Sequence, residues 1–166
     1  MILDKRKFWL FLICLLIWMT VIFRFSSEKS DRSDETSLGV GKIIAEIIVN
    51  DFEQMEEGKQ FEIIESWNFM IRKTAHFCEY AILGMWSILM FLQVDISNRA
   101  CALFGISFCA LYAMSDELHQ YFVPGRACQF RDICIDTAGA AVGVILIMLI
   151  RPICKLLLQD RLKKRK

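Results

Sequence analysis

Several familiar chemistries are missing from this sequence. Its seven cysteines include no Cys-x-x-Cys pair, and there is no zinc-ribbon spacing, glycine-rich phosphate loop or nucleic-acid motif. Dithiol redox chemistry, structural zinc and P-loop nucleotide binding are thereby excluded as readings, and no nucleic acid is expected as a partner. No small-x-small cleavage site follows the first apolar run, which ends in Arg24-Phe25-Ser26-Ser27, so that run is expected to stay as an anchor. The sequence also lacks an inverted repeat, which argues against a transporter working as a monomer. Histidine is scarce, with only His76 and His119, so imidazole chemistry has two addresses.

What is present is apolar. Hydrophobic residues make up 55% of the 166 positions, with a mean hydropathy of +0.41, too apolar for an ordinary soluble domain. Four runs stand out: Phe8–Phe23, Ala81–Val94, Ala100–Met114 and Ile133–Ile150. A spanning helix needs roughly 17–25 residues, which the middle two reach only by drawing in polar neighbours. The expectation is an all-α, integral membrane four-helix bundle, a single domain over 1–166. Its spans are placed at about 8–25, 72–94, 100–119 and 132–150, with an outer insertion at 26–68. Within the insertion Ser26–Ser37 reads as loop, and Leu38, Ile43, Ile44, Ile47 and Ile48 recur at amphipathic-helix spacing. That helix would either pack on the bundle or lie in the outer interface.

The net charge of +1 hides an asymmetry that sets orientation. Lys5, Arg6 and Lys7 begin the chain, and Arg151, Lys155, Arg161 and Lys163–Lys166 end it, whereas Ser26–Asn68 holds four Lys/Arg against eleven Asp/Glu. The positive-inside rule then places both termini on the cytoplasmic side of the membrane, with the acidic insertion outside. The short Asp95–Arg99 connection makes the second and third spans antiparallel neighbours. Three polar segments therefore converge at the outer face.

Those segments carry the candidate chemistry. Arg72, His76 and Glu79 form one stripe of the second span, and Asp116 and His119 pair at i, i+3 on the third. Asp132, Asp136, Gly139 and Gly143 share a stripe of the fourth, the glycines forming a small-xxx-small seam that turns the acids into the bundle. Ionisable groups at membrane depth are costly and mark function by default. Three chemistries fit. His76, Glu79, Asp116, His119, Asp132 and Asp136 are candidates for acid/base work or, by the His-x-x-Glu and Asp-x-x-His spacings, for a metal site whose ion and content the sequence leaves unknown, as it does any other cofactor. Arg72, Lys73, Gln120, Arg126 and Arg131 are candidates for holding a lipid phosphate or carboxylate. Buried ion pairs that only fix helix register, such as Arg72–Asp132 or Arg126–Glu79, would use the same residue types. The spacing Cys128–Cys134 gives no reason to expect a disulfide.

Three ordered motifs carry a resemblance. They are Arg72-Lys73-x-Ala75-His76-Phe77-x-Glu79-Tyr80, Ser115-Asp116-Glu117-x-His119-Gln120-x-Phe122-x-Pro124-Gly125-Arg126, and Asp132-x-x-x-Asp136-x-x-Gly139. On these the chain resembles the VanZ-like family of small bacterial membrane proteins, over about Trp67 to Ile150. The resemblance implies a cell-envelope protein connected with low-level resistance to teicoplanin, a lipid-bearing glycopeptide. The expected partners are the bilayer and an anionic lipid, lipid-linked precursor or lipoglycopeptide. The expected function is binding or modifying such a lipid at an outward-facing pocket, and the rival is a non-catalytic protein that sequesters the antibiotic or shields its target.

Overall fold

The computed structural model describes residues 1–163, in which there are five α-helices, one short 3-10 turn and no strands. The helices are α1 (Lys5–Ser26), α2 (Ser30–Ile48), α3 (Glu57–Phe91), α4 (Asn98–Gln120) and α5 (Phe130–Lys163). Lys164–Lys166, part of the basic tail used for orientation, lie outside the described residues. Asp4 caps α1 by accepting the Lys7 N–H at 3.1 Å, and Ser97 caps α4 by accepting the Ala100 N–H at 3.2 Å. Among the described residues α1, α4 and α5 (Lys5–Ser26, Asn98–Gln120, Phe130–Cys154) are long and apolar enough to cross a membrane. Their outward surfaces expose Ile13, Leu16, Leu103, Leu111, Ile145 and Leu149, a distribution foreign to a water-facing domain. The expected span at 72–94 falls in the second half of α3, which is not among these, so three such helices stand where four were expected.

At 35 residues, α3 is about 52 Å long at a rise of about 1.5 Å per residue, well beyond the ~30 Å of a bilayer core. Its two halves have different neighbours. The second half runs antiparallel to α1, with Ile2 bridged to Val94 and the Trp18 indole donating to the Glu79 carbonyl at 2.8 Å. It runs parallel to α5, along a seam in which Gly139 lies against the Phe77 carbonyl, Gly143 against the Ala81 carbonyl and Gly84 against the Ala140 carbonyl. A Cβ at any of the three would overlap that backbone, so the expected small-residue stripe is a close-contact seam. The first half of α3 rises beyond the level where α5 begins and is flanked by α2. Gly41 of α2 faces Ile64 and Ile71, and Ala45, Phe52 and Ile64 form a small separate core.

Two local expectations are corrected. Ser30–Ser37, read as loop, is helical, because α2 begins at Ser30 and uses serine hydroxyls on its own carbonyls, Ser37 to Ser33 at 3.0 Å among them. Glu56-Glu57-Gly58-Lys59, which reads as a turn from the sequence, instead opens α3, which continues unbroken through Trp67 into the apolar half. All seven cysteines are free.

Candidate functional site

The polar residues gather where α1 gives way to α2, α4 ends and α5 begins. The α4–α5 loop turns at Pro124-Gly125, where Gly125 takes φ +78° and a Cβ would meet the Ser30 side chain at 2.9 Å. This contact brings Arg126 over the start of α2, where its Nε donates to the Glu28 carbonyl at 3.3 Å. From α3, Arg72 pairs with Asp34 of α2 at 2.6 Å, and Asn68 donates to the same carboxylate at 3.2 Å. Lys73, the next residue and so on a different face, is ion-paired with Asp132 at the start of α5. Neither Arg72–Asp132 nor Arg126–Glu79, the register pairs considered from sequence, is formed. Asp34 and Lys73 take those roles because the first half of α3 has α2 beside it.

Below these pairs lies a buried acidic layer. Asp136 is 1% exposed, and its nearest cationic candidate, His76 Nδ1, is 4.0 Å away, too far for a hydrogen bond. Asp116 accepts from Ser26 Oγ at 2.6 Å and Gln120 Nε2 at 3.2 Å, while Glu117 accepts the Gln129 backbone N–H at 2.9 Å. Among the described residues both oxygens of Asp136, one each of Asp116 and Asp132, and the Tyr80 hydroxyl are buried without a partner. Such groups are expensive to leave unsatisfied. No group of three or more His, Cys, Asp or Glu among the described residues is arranged to hold a metal ion.

Two cavities open on this region. The larger, about 730 Å³, runs up one side of the α2–α3 seam. Phe25, Glu28, Arg72, His76, Glu79 and Arg126 line its lower part, and Val40, Ile44 and Ile48 of α2 with Trp67, Met70 and Ile71 of α3 line its upper part. The smaller, about 200 Å³, is polar and lies between Ser30, Arg72, Lys73, Gln120, Arg126, Gln129 and Asp132. Arg72 and Arg126 belong to both. Burial, and next the neighbouring Arg72 guanidinium, push the Arg126 guanidinium below its ordinary value. Two half-buried guanidiniums sharing one wall make a place for an anion.

Of the residues singled out from sequence, Arg72, Lys73, His76, Glu79, Gln120, Arg126 and Asp132 line one or both cavities. Asp116 and Asp136 lie buried beneath. Two stand apart: His119 has Nε2 3.1 Å from Ser27 Oγ and its ring on Phe23, and the exposed Arg131 lies over the Phe69 ring at 4.9 Å. Sequence reasoning passed over Asp34, Glu117, Ser26 and Tyr80. Glu117 and Tyr80 stand inside the quoted motifs, but neither was given a place on the helical stripes. Asp34 and Ser26 carried no signal, since their partners lie 38 and 90 residues away.

Comparison with curated proteins and with solved structures returns no match. The VanZ/LLP1 family profile matches residues 11–151, taking in most of α1, both cavities and the glycine seam. The chain therefore belongs to the VanZ/LLP1 family.

Proposed function

We propose that this protein is one multi-pass domain of the bacterial cytoplasmic membrane that binds, and acts on, an anionic envelope lipid or lipid-linked precursor at an outward-facing site. In this reading the second half of α3 is a fourth span, with His76 and Glu79 turned toward the larger cavity and not toward the α5 seam. The termini are cytoplasmic, as the basic ends and acidic insertion favour. The observation that carries the reading is that Arg72 and Arg126 form a shared wall of an apolar cavity and a polar one, the division an amphiphile requires. Arg72, Lys73, Arg126 and Gln120 bind the anion. His76, Glu79, Asp116 and Asp136 supply acid/base groups, Asp132 holds Lys73 in place, and His119 and Arg131 flank the site. Family membership supports a contribution to teicoplanin resistance by this route.

A second reading, binding without chemistry, is favoured by one feature: of the two imidazoles only His76 lines a cavity. Lipid profiles of cells with the intact protein, Asp116→Ala and no protein separate the two. A catalyst leaves a covalently altered envelope lipid in the first strain alone. A binder that sequesters the antibiotic or shields its target leaves all three profiles alike while changing teicoplanin susceptibility. Identical lipids and identical susceptibility in all three strains would remove both readings.

A further inference from the structure

The anion-binding reading above leaves the upper part of the larger cavity without a role, and its position is informative. Val40, Ile44 and Ile48 recur every fourth residue on α2 and face Trp67 and Ile71, four apart on α3, so both helices give the groove an apolar stripe along its length. Along α3 these residues precede Arg72, and the α5 helix starts only at the level of Lys73. The groove thus extends away from the bundle of apolar helices, while its charged floor sits at the bundle's rim. A bilayer lipid with its phosphate at that rim would send its chains the other way.

Charge separates the two compartments. Glu28 and Glu79 face the groove's lower part, with His76 and the two arginines, whereas in the small pocket three cations, Arg72, Lys73 and Arg126, meet one acid, Asp132. Asp34, outside both, is engaged by Arg72 and Asn68. An anionic group is therefore better placed in the small pocket, with a chain passing between Arg72 and Arg126 into the groove. A volume of about 730 Å³ is in the range of sites for single small ligands. Resting on the anion-binding reading, we infer that the α2–α3 groove is the seat of one hydrocarbon chain held outside the bilayer, and that the ligand is a monoacyl anionic phospholipid.

The test uses the full-length protein in phosphatidylcholine nanodiscs and monoacyl phosphatidylglycerol carrying a photoreactive diazirine at the chain end, with adducts mapped by mass spectrometry. Adducts are expected on Val40, Ile44, Ile48 or Trp67. Adducts confined to the outward faces of α1, α4 and α5 would overturn the inference. Val40→Trp and Ile48→Glu alter exposed positions, so folding is retained, and each should weaken groove labelling roughly tenfold, as displacement of ~two methylenes would. Unchanged labelling in both variants would also overturn it. Arg126→Gln, assayed with ordinary two-chain phosphatidylglycerol, distinguishes the two levels. If Arg126→Gln weakens that binding while the groove stays unlabelled, the anion site stands and the chain seat falls. If Arg126→Gln has no effect and the groove stays unlabelled, both fall.

Discussion

The two halves of α3 handle charge in opposite ways. In the first half, the outer one in the proposed orientation, Arg72 lies beside α2 and is paired at a partly exposed position with Asp34, Asn68 supports that carboxylate, and Ser37 donates to Asn68. In the inner half, enclosed by α1, α4 and α5, Asp136 has two oxygens with no hydrogen-bond partner, and Asp116 and Tyr80 each leave one oxygen unsatisfied. A fold selected only for stability would do the reverse, because unpaired charge costs least where water can reach it. Packing differs in the same sense. The inner half is drawn against α5 by three glycines, while the outer half leaves a cavity along its seam with α2. The contrast teaches that α3 is a rigid post in its inner half and a binding wall in its outer half. The inner acids are better explained by the proposed chemistry than by packing.

Glycine-to-alanine substitutions test this contrast most strongly. In Gly143→Ala the new methyl overlaps the Ala81 carbonyl, and neither helix can yield without separating the seam. Overpacking of this kind costs about 1–3 kcal/mol. Gly39→Ala, in α2, meets nothing within 4 Å and replaces a poor helix former, so it should stabilise by about 0.5–1 kcal/mol. Unfolding midpoints of the two variants in detergent should therefore move in opposite directions, and a common direction would refute the post-and-wall division.

Asp136→Leu ranks next. Removing a buried carboxyl that has no partner should hold stability constant or raise it by about 1 kcal/mol, while abolishing the lipid change or the teicoplanin phenotype. A variant that loses stability but keeps function would make Asp136 a structural residue after all.

Much of this arrangement was legible in the sequence, for a definable reason. The stripe of Asp132, Asp136, Gly139 and Gly143 is local, set by helical periodicity, and the structure keeps it: the acids are buried and the glycines touch α3. The convergence of three motifs followed from the short Asp95–Arg99 connection. What escaped was non-local or depended on a wrong local reading. With Ser30–Ser37 taken as loop, Asp34 had no fixed direction, so its pairing with Arg72 could not be anticipated. The groove escaped for the same reason, since it exists only because α2 and the outer half of α3 run side by side. His119 shows the converse: its i, i+3 relation to Asp116 was correct as spacing, yet the side chain turns to Ser27 and Phe23, outside both cavities.

Smaller effects sharpen the comparison at its outer end. Asp34→Asn removes the charge partner of Arg72 but keeps an acceptor. The pair is partly exposed, at 26% and 34%, so the stability loss should stay within about 0.2–1 kcal/mol. Its effect on ligand should be larger and of the opposite sign, because a released Arg72 carries its full charge toward the small pocket. Binding of two-chain phosphatidylglycerol should tighten in Asp34→Asn, and weakening would mean that Asp34 serves to orient Arg72 rather than to neutralise it.

Arg131→Ala should have the least effect of all. Arg131 is 58% exposed, lies 3.8 Å from Asp132 and lines neither cavity. Lys73 already pairs with the same carboxylate from the buried side, so the second cation adds only a screened attraction and its stacking on Phe69. Binding in Arg131→Ala should stay within about threefold of the native protein, less than the RT ln 10 of ~1.4 kcal/mol that separates tenfold changes. A larger loss would move the anion outward from Arg72, Lys73 and Arg126 to the rim of α5, and the small pocket would no longer be its seat.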